Sequence, residues 1–234
     1  MDCPTSLKSA GFRDVLNAMS VSCLAVLLFL PALFSMAIEP PATTLCQPDK
    51  LIVATPFDQP TPPTRKGPIQ GWQASIGEWC IDNGVLHGDE LPEDHHASSC
   101  TYRLEATHLV ITAEFRLGDA VHVAFGCRDT IAPNHHLGRT FISKDGIWIQ
   151  HMSGIAKTTK AHKVAELKTP IDPKTWHMLT LEICGDRYRA QVDDHVIEAA
   201  NARFQDAKSI VALITKGRGA QFRNVNLWHA RPKS

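Results

Sequence analysis

The stretch His108–Leu117, HLVITAEFRL, decides the fold class. In an extended chain Ile111, Ala113, Phe115 and Leu117 fall on one side, and Thr112, Glu114 and Arg116 on the other. Successive Cβ atoms of a strand point to opposite faces, so this alternation predicts a strand buried on one face only. Ala120–Arg128 (AVHVAFGCR) repeats it, with Val121, Val123, Phe125 and Cys127 inward and His122, Ala124, Gly126 and Arg128 outward. Trp176–Cys184 turns in Leu179, Leu181 and Ile183; Arg187–Val192 turns in Tyr188, Ala190 and Val192; Phe222–Trp228 turns in Val225 and Leu227. Asp82-Asn83-Gly84, Lys144-Asp145-Gly146, Gly185-Asp186 and Lys216-Gly217 supply turns with positive φ between such runs. Short strands at this spacing predict an all-β sandwich or barrel. Only Ala199–Lys208 reads as a helical turn, and it lacks an apolar stripe.

Outward from these strands, composition narrows the function. The chain has 234 residues, 44% hydrophobic and 21% charged, enough for one globular domain with extra segments. Its 24 Lys+Arg balance 24 Asp+Glu, so no field favours nucleic acid or an anionic membrane, and neither is expected as a partner.

Residues 1–37 read as a signal peptide. Val15–Ile38 carries no charge, Lys8 and Arg13 precede it, and Ser35-Met36-Ala37 offers small residues at the first and third positions before a cut. The chain is therefore expected in an exported location: periplasm, cell surface or medium. The alternative is an uncleaved anchor, since the run is long enough to span a bilayer. Residues 38–69 read as a Pro-rich linker, with prolines at 40, 41, 48, 56, 60, 62, 63 and 68, extended and poorly packed apart from a short edge strand at Leu51–Ala54. Residues 70–231 form the sandwich. Cleavage would leave Cys46, Cys80, Cys100, Cys127 and Cys184, an odd number. Cys80 and Cys100 flank a turn-rich segment and could bridge, whereas Cys127 and Cys184 sit in apolar runs as buried thiols. No Cys-x-x-Cys spacing suggests a zinc ribbon.

An ordered set of short pieces carries a resemblance. They are Gly77-Glu78-Trp79, Asp82-Asn83-Gly84-Val85-Leu86, Glu114-Phe115-Arg116, Phe125-Gly126-Cys127-Arg128, Trp176-His177, Val192-Asp193-Asp194 and Phe222-Arg223-Asn224-Val225. Across about residues 70 to 230 the chain resembles the 3-keto-disaccharide hydrolase domain family. That resemblance implies a concanavalin A-like jelly-roll β-sandwich of two antiparallel sheets, with carbohydrate as partner and, in some members, cleavage of 3-keto-glycosides. The chain departs from the family at Trp176-His177, where Trp-Asn is usual, and at Asp193-Asp194, where Asn-Gly is usual.

No Glu-x-Asp-x-(x)-Glu strand is present to hold the paired carboxylates of a retaining glucanase. Gly-x-Ser-x-Gly, His-Glu-x-x-His and P-loop signatures are absent as well. The outward residues remain. If Glu114, Arg116 and Arg128 share one hollow, the arginines could fork onto sugar hydroxyls or a carboxylate, and Glu114 could serve as acid or base. The competing reading is a cross-strand Glu–Arg pair on a solvated face. His151 is a further general-base candidate near neutral pH, against a satisfied sheet histidine. Trp148 is the tryptophan expected to stack on a sugar ring alongside Arg116. In the acidic loop, Asp94 with His95 and His96 could ligate a divalent ion such as zinc or manganese, against solvated loop side chains. Three functions follow: a carbohydrate-active domain that cleaves 3-keto-glycosides, a non-catalytic lectin-like module, or a cell-surface structural or protein-interaction sandwich.

Overall fold

The computed structural model describes residues 38–129, 136–154 and 158–233; the segment read as a signal peptide lies outside them. Among these described residues seventeen strands follow one another. The first six are β1 (Cys46–Thr55), β2 (Thr61–Thr64), β3 (Gly67–Ile69), β4 (Trp72–Ile76), β5 (Glu78–Asp82) and β6 (Val85–Asp89). Next come β7 (Ser98–Ala106), β8 (Leu109–Arg116), β9 (His122–Asp129), β10 (His136–Ser143), β11 (Gly146–Ser153) and β12 (Lys160–Lys168). The last are β13 (His177–Cys184), β14 (Arg187–Val192), β15 (His195–Ala200), β16 (Lys208–Lys216) and β17 (Ala220–Pro232). No α-helix occurs among the described residues; the turn foreseen within Ala199–Lys208 is a short 3-10 turn, Ala202–Gln205, capped by the Asn201 side chain, which accepts from the Arg203 N–H at 3.0 Å.

The strands form two antiparallel sheets. The first runs β15-β14-β13-β8-β17-β6-β5-β2, with β1 added along β17; the second runs β12-β11-β10-β9-β16-β7-β4-β3. Their inner faces meet in one core, where Phe115 of the first sheet stands edge-on to Phe125 of the second at 5.9 Å, and Phe125 edge-on to Phe222 at 5.8 Å. Such edge contacts add about 0.5–1.5 kcal/mol each beyond the area buried. The alternation in the sequence is what places these rings: the inward residues of β8, β13, β14 and β17 are essentially inaccessible. The exception is Val121, which precedes β9 and is 63% exposed because the regular alternation begins one residue later, at His122.

The segment read as a linker, residues 38–69, is not a spacer. It contributes β1, β2 and β3, and Cys46, Phe57 and Ile69 in it are buried. Its prolines are compatible with sheet because each of these strands pairs on one side only: β1 with β17, β2 with β5, β3 with β4. An edge strand leaves half its N–H groups unpaired in any case, so Pro48, Pro62, Pro63 and Pro68 remove no ladder bond that the sheet requires. The bridge between Cys80 and Cys100 is not formed either: Cys100 is a free thiol in β7, fully buried between the neighbouring strands β4 and β16, and burial pushes its pKa up.

The two departures from the resembled family meet in space. Asp193 takes φ 50° in the β14–β15 turn, and its carboxylate accepts from Met178 N–H at 2.9 Å while its other oxygen lies 2.7 Å from His177 Nδ1. His177 Nε2 lies 2.7 Å from the Asp172 carbonyl. The pair thus pins the start of β13 to the hairpin beside it.

Candidate functional site

The sequence-predicted residues separate onto different surfaces. Glu114 and Arg116 lie on the outer face of the first sheet, in β8, whose neighbours are β13 and β17. Arg128 lies on β9 of the second sheet, between β10 and β16. The hollow expected to join these three is therefore not formed. Adjacency in sequence misled here: β8 and β9 are consecutive, but the chain crosses from one layer to the other between them.

On the first sheet, Glu114 is fully engaged. Arg223, directly opposite it on β17, donates from Nε at 2.8 Å and from a terminal nitrogen at 2.5 Å to one oxygen, and Asn224 donates to the other at 2.6 Å. Arg223 and Arg116 both lie over the Trp176 ring, at 4.2 and 5.1 Å, and Arg116 Nε donates to Gln221 at 2.5 Å. This is a cross-strand ion pair capped by cation–π contacts, a stabilising patch of the sheet face. Trp176, Arg223 and Asn224 belong to the resemblance pieces but were not expected as its partners.

On the second sheet, the outer face brings together Trp148 with residues the sequence reading had not grouped. Phe141 on β10 and Trp148 on β11 are paired across the ladder and stack at 5.0 Å with planes 3° apart. His122 of β9 stands edge-on to both rings, at 5.1 and 5.8 Å. Arg139, two residues before Phe141 on the same face, lies over the Phe141 ring at 5.1 Å. Its stem crosses β9 at Gly126, where an added Cβ would come within 2.9 Å of Arg139 Cγ. Gly126 is required there as a lane. Arg128, two residues along β9 from Gly126, therefore sits diagonal to Arg139. Burial, reinforced by the nearby Arg128 charge, lowers the Arg139 pKa from its usual value; burial likewise lowers that of Arg128. The missed signal was the run Leu137-Gly138-Arg139-Thr140-Phe141-Ile142, a period-two pattern leading into the Lys144-Asp145-Gly146 turn.

His151 alternates to the other side of β11 from Trp148 and Gln150. It stacks on His162 at 5.0 Å, with Nδ1 buried and without a hydrogen-bond partner. It belongs to the second sheet whereas Glu114 faces outward from the first, so the two do not form an acid–base pair. Asp94, His95 and His96 border the 3-10 turn Pro92–Asp94. The two Asp94 oxygens are taken by Arg65 at 3.0 Å and the Gly77 N–H at 2.9 Å, and His96 Nδ1 lies 2.6 Å from the Ala97 carbonyl. Among the described residues no group of three His, Cys, Asp or Glu side chains is arranged to hold a metal ion, so the expected Asp94–His95–His96 site does not assemble. The physical reason is local: Asp94 closes its own loop.

Histidine burial has a thermodynamic consequence. His87, His122 and His151 are all lowered from their usual value, first by burial; Lys216 then Arg139 add to this at His122, and His162 does at His151. A histidine with a depressed folded-state pKa binds its proton more readily in the unfolded chain, so stability falls as pH drops below about 6.5, the unfolded value. Urea midpoints should therefore decline between about pH 7.5 and pH 5.5, before carboxylates titrate. A flat profile over that interval would contradict the burial of these rings.

No protein-family model matches the sequence, and no curated protein matches it. Solved structures do. The chain is similar to SCLam, a non-specific endo-β-1,3(4)-glucanase of family GH16, with a TM-score of 0.54 at 13% identity, covering 82% of this chain and 97% of that one. It is similar to porphyranase B from Zobellia galactanivorans, with a TM-score of 0.54 at 11% identity, covering 77% and 92%. It is also similar to the CBM2 module of the evolved Dit protein of Lactobacillus casei phage J-1, with a TM-score of 0.54 at 12% identity, covering 79% and 97%. At these identities the likeness is one of fold: the chain is a concanavalin A-like jelly-roll sandwich.

Proposed function

We propose that this is an exported carbohydrate-binding domain, with the outer face of the second sheet as its sugar surface. The observation that carries the reading is the parallel Phe141–Trp148 pair flanked by Arg139, Arg128 and His122. An aromatic face offers apolar area to the C–H face of a sugar, and guanidinium groups beside it fix hydroxyl or acidic substituents. Jelly rolls that bind or cleave glycans among the similar structures support a carbohydrate partner. Export rests on residues 1–37 as a signal peptide.

Binding is favoured over the cleavage of 3-keto-glycosides implied by the family resemblance. Glu114 is held by Arg223 and Asn224, and Glu166, which faces Trp148 across the β11–β12 ladder, is tied to Lys163 at 2.8 Å. Neither is poised with a second carboxylate at the spacing a glycosidase needs. In titrations against a glycan panel, Trp148→Ala should weaken binding by about tenfold or more, equivalent to about 1.4 kcal/mol, while Glu114→Gln leaves it unchanged. Product formed from a 3-keto-glycoside, and lost in Glu114→Gln, would establish the hydrolytic reading instead. Failure to bind any glycan, with capture of a protein partner, would favour the structural reading.

A further inference from the structure

Several cations of the fold are paired with carboxylates; Arg139 is not, and neither are Lys208, which donates to the Thr107 and Phe204 carbonyls, and Arg116, which donates to Gln221. Arg189 has Glu182 and Glu198, Arg203 has Asp129 and Asp206, Arg223 has Glu114, Lys163 has Glu166, and Lys216 has Glu90. Arg139 reaches only neutral atoms: one terminal nitrogen lies 3.5 Å from Gln150 Oε1 and 3.2 Å from Met152 Sδ, and Nε is buried with no hydrogen-bond partner. No carboxylate neutralises it among the described residues. A second guanidinium, that of Arg128, is its diagonal neighbour on the same face. Removing a cation from water beside a like charge, without a counter-charge, is costly, and burial of ions is tolerated where hydrogen bonds or pairing compensate, as the two carbonyls do for Lys208.

We propose that the compensating charge is supplied by the ligand. The surface takes an anionic glycan, one bearing a carboxylate or a sulfate ester, which accepts from Arg139 while the sugar ring lies on the Phe141–Trp148 platform. This rests on the carbohydrate-binding reading and narrows it to a substrate class. The geometry suits it. The Nε edge of Arg139 is buried, so a two-oxygen acceptor on the platform would meet the terminal nitrogens of the guanidinium, and Gly126 lets the stem lie flat against β9 so that this head stays beside Phe141.

The test is calorimetric titration of the full-length mature protein with three oligosaccharides of equal length: an oligouronate, a sulfated galactan fragment and a neutral β-glucan. The acidic ligands should bind at least about tenfold more tightly than the neutral one, with affinity falling as salt is raised. Arg139→Gln should abolish that preference, weakening the acidic ligands at least about tenfold more than the neutral one, whereas Trp148→Ala should weaken all three to a similar extent. Preference for the uronate alone or the sulfate alone identifies the acidic group. Equal affinity for neutral and acidic ligands, unchanged by Arg139→Gln, overturns the anionic proposal and leaves the carbohydrate reading standing. No binding to any of the three ends both. Should Arg139→Gln misfold, Gly126→Ala, which displaces the arginine stem, is read instead and must reduce the acidic preference.

Discussion

Glu182→Ala is expected to destabilise the protein by about 3–5 kcal/mol, a drop in melting temperature on the order of 10 °C. Glu182 lies on the outer face of β13 yet is 0% exposed, because the chain entering β1 crosses over it. Its carboxylate accepts from the N–H groups of Thr44 at 2.9 Å, Leu45 at 2.7 Å and Cys46 at 3.2 Å, and Arg189 lies 3.3 Å away. Deleting it leaves three backbone donors without their acceptor and Arg189 with only Glu198 and Gln191, and breaking such a buried, hydrogen-bonded charge is costly. Glu182→Gln keeps one acceptor oxygen and should cost roughly half as much. Chemical denaturation of both variants measures this. A loss below about 1 kcal/mol for Glu182→Ala would mean that the segment before β1 does not depend on this clamp.

Trp79→Ala should cost a comparable amount, about 3–5 kcal/mol, through lost burial and an incompletely collapsed cavity. The indole is 0% exposed, lies 6.1 Å from Phe222, and donates from Nε1 to the Ile76 carbonyl at 2.9 Å. It packs flat over Gly88 of the neighbouring strand, where an added Cβ would come within 2.5 Å of the ring. Gly88→Ala alone should therefore destabilise by roughly 1–3 kcal/mol through overpacking. In the double variant the new methyl enters the space the indole vacates, so the combined loss should fall short of the two single losses added together. Strict additivity in denaturation midpoints would show that ring and glycine do not share that space.

The strands were readable because alternation is a property of neighbouring residues. His108–Leu117 and Trp176–Cys184 declare which side chains go inward whatever they pair with, and their inward residues are buried as expected. The linker reading failed for a nonlocal reason. Proline content says that a segment is extended, but not that an open sheet edge lies waiting for it, so of β1 only the short edge strand at Leu51–Ala54 was foreseen, and β2 and β3 were not. The Asp94–His95–His96 loop failed similarly, since Gly77 and Arg65 reach it from distant positions.

What the sequence determined by itself was the fold class and the inward sets along β8, β13, β14 and β17. Local alternation encodes both. Which outward residues become neighbours was decided by tertiary structure alone. Chain order runs from β8 to β9, but hydrogen bonding places them in different layers, so Glu114 meets Arg223 from the far end of the chain while Arg128 joins Arg139, Phe141 and Trp148. Strand pairing is a long-range choice fixed by how both sheets bury their apolar faces together, and no window of sequence contains it.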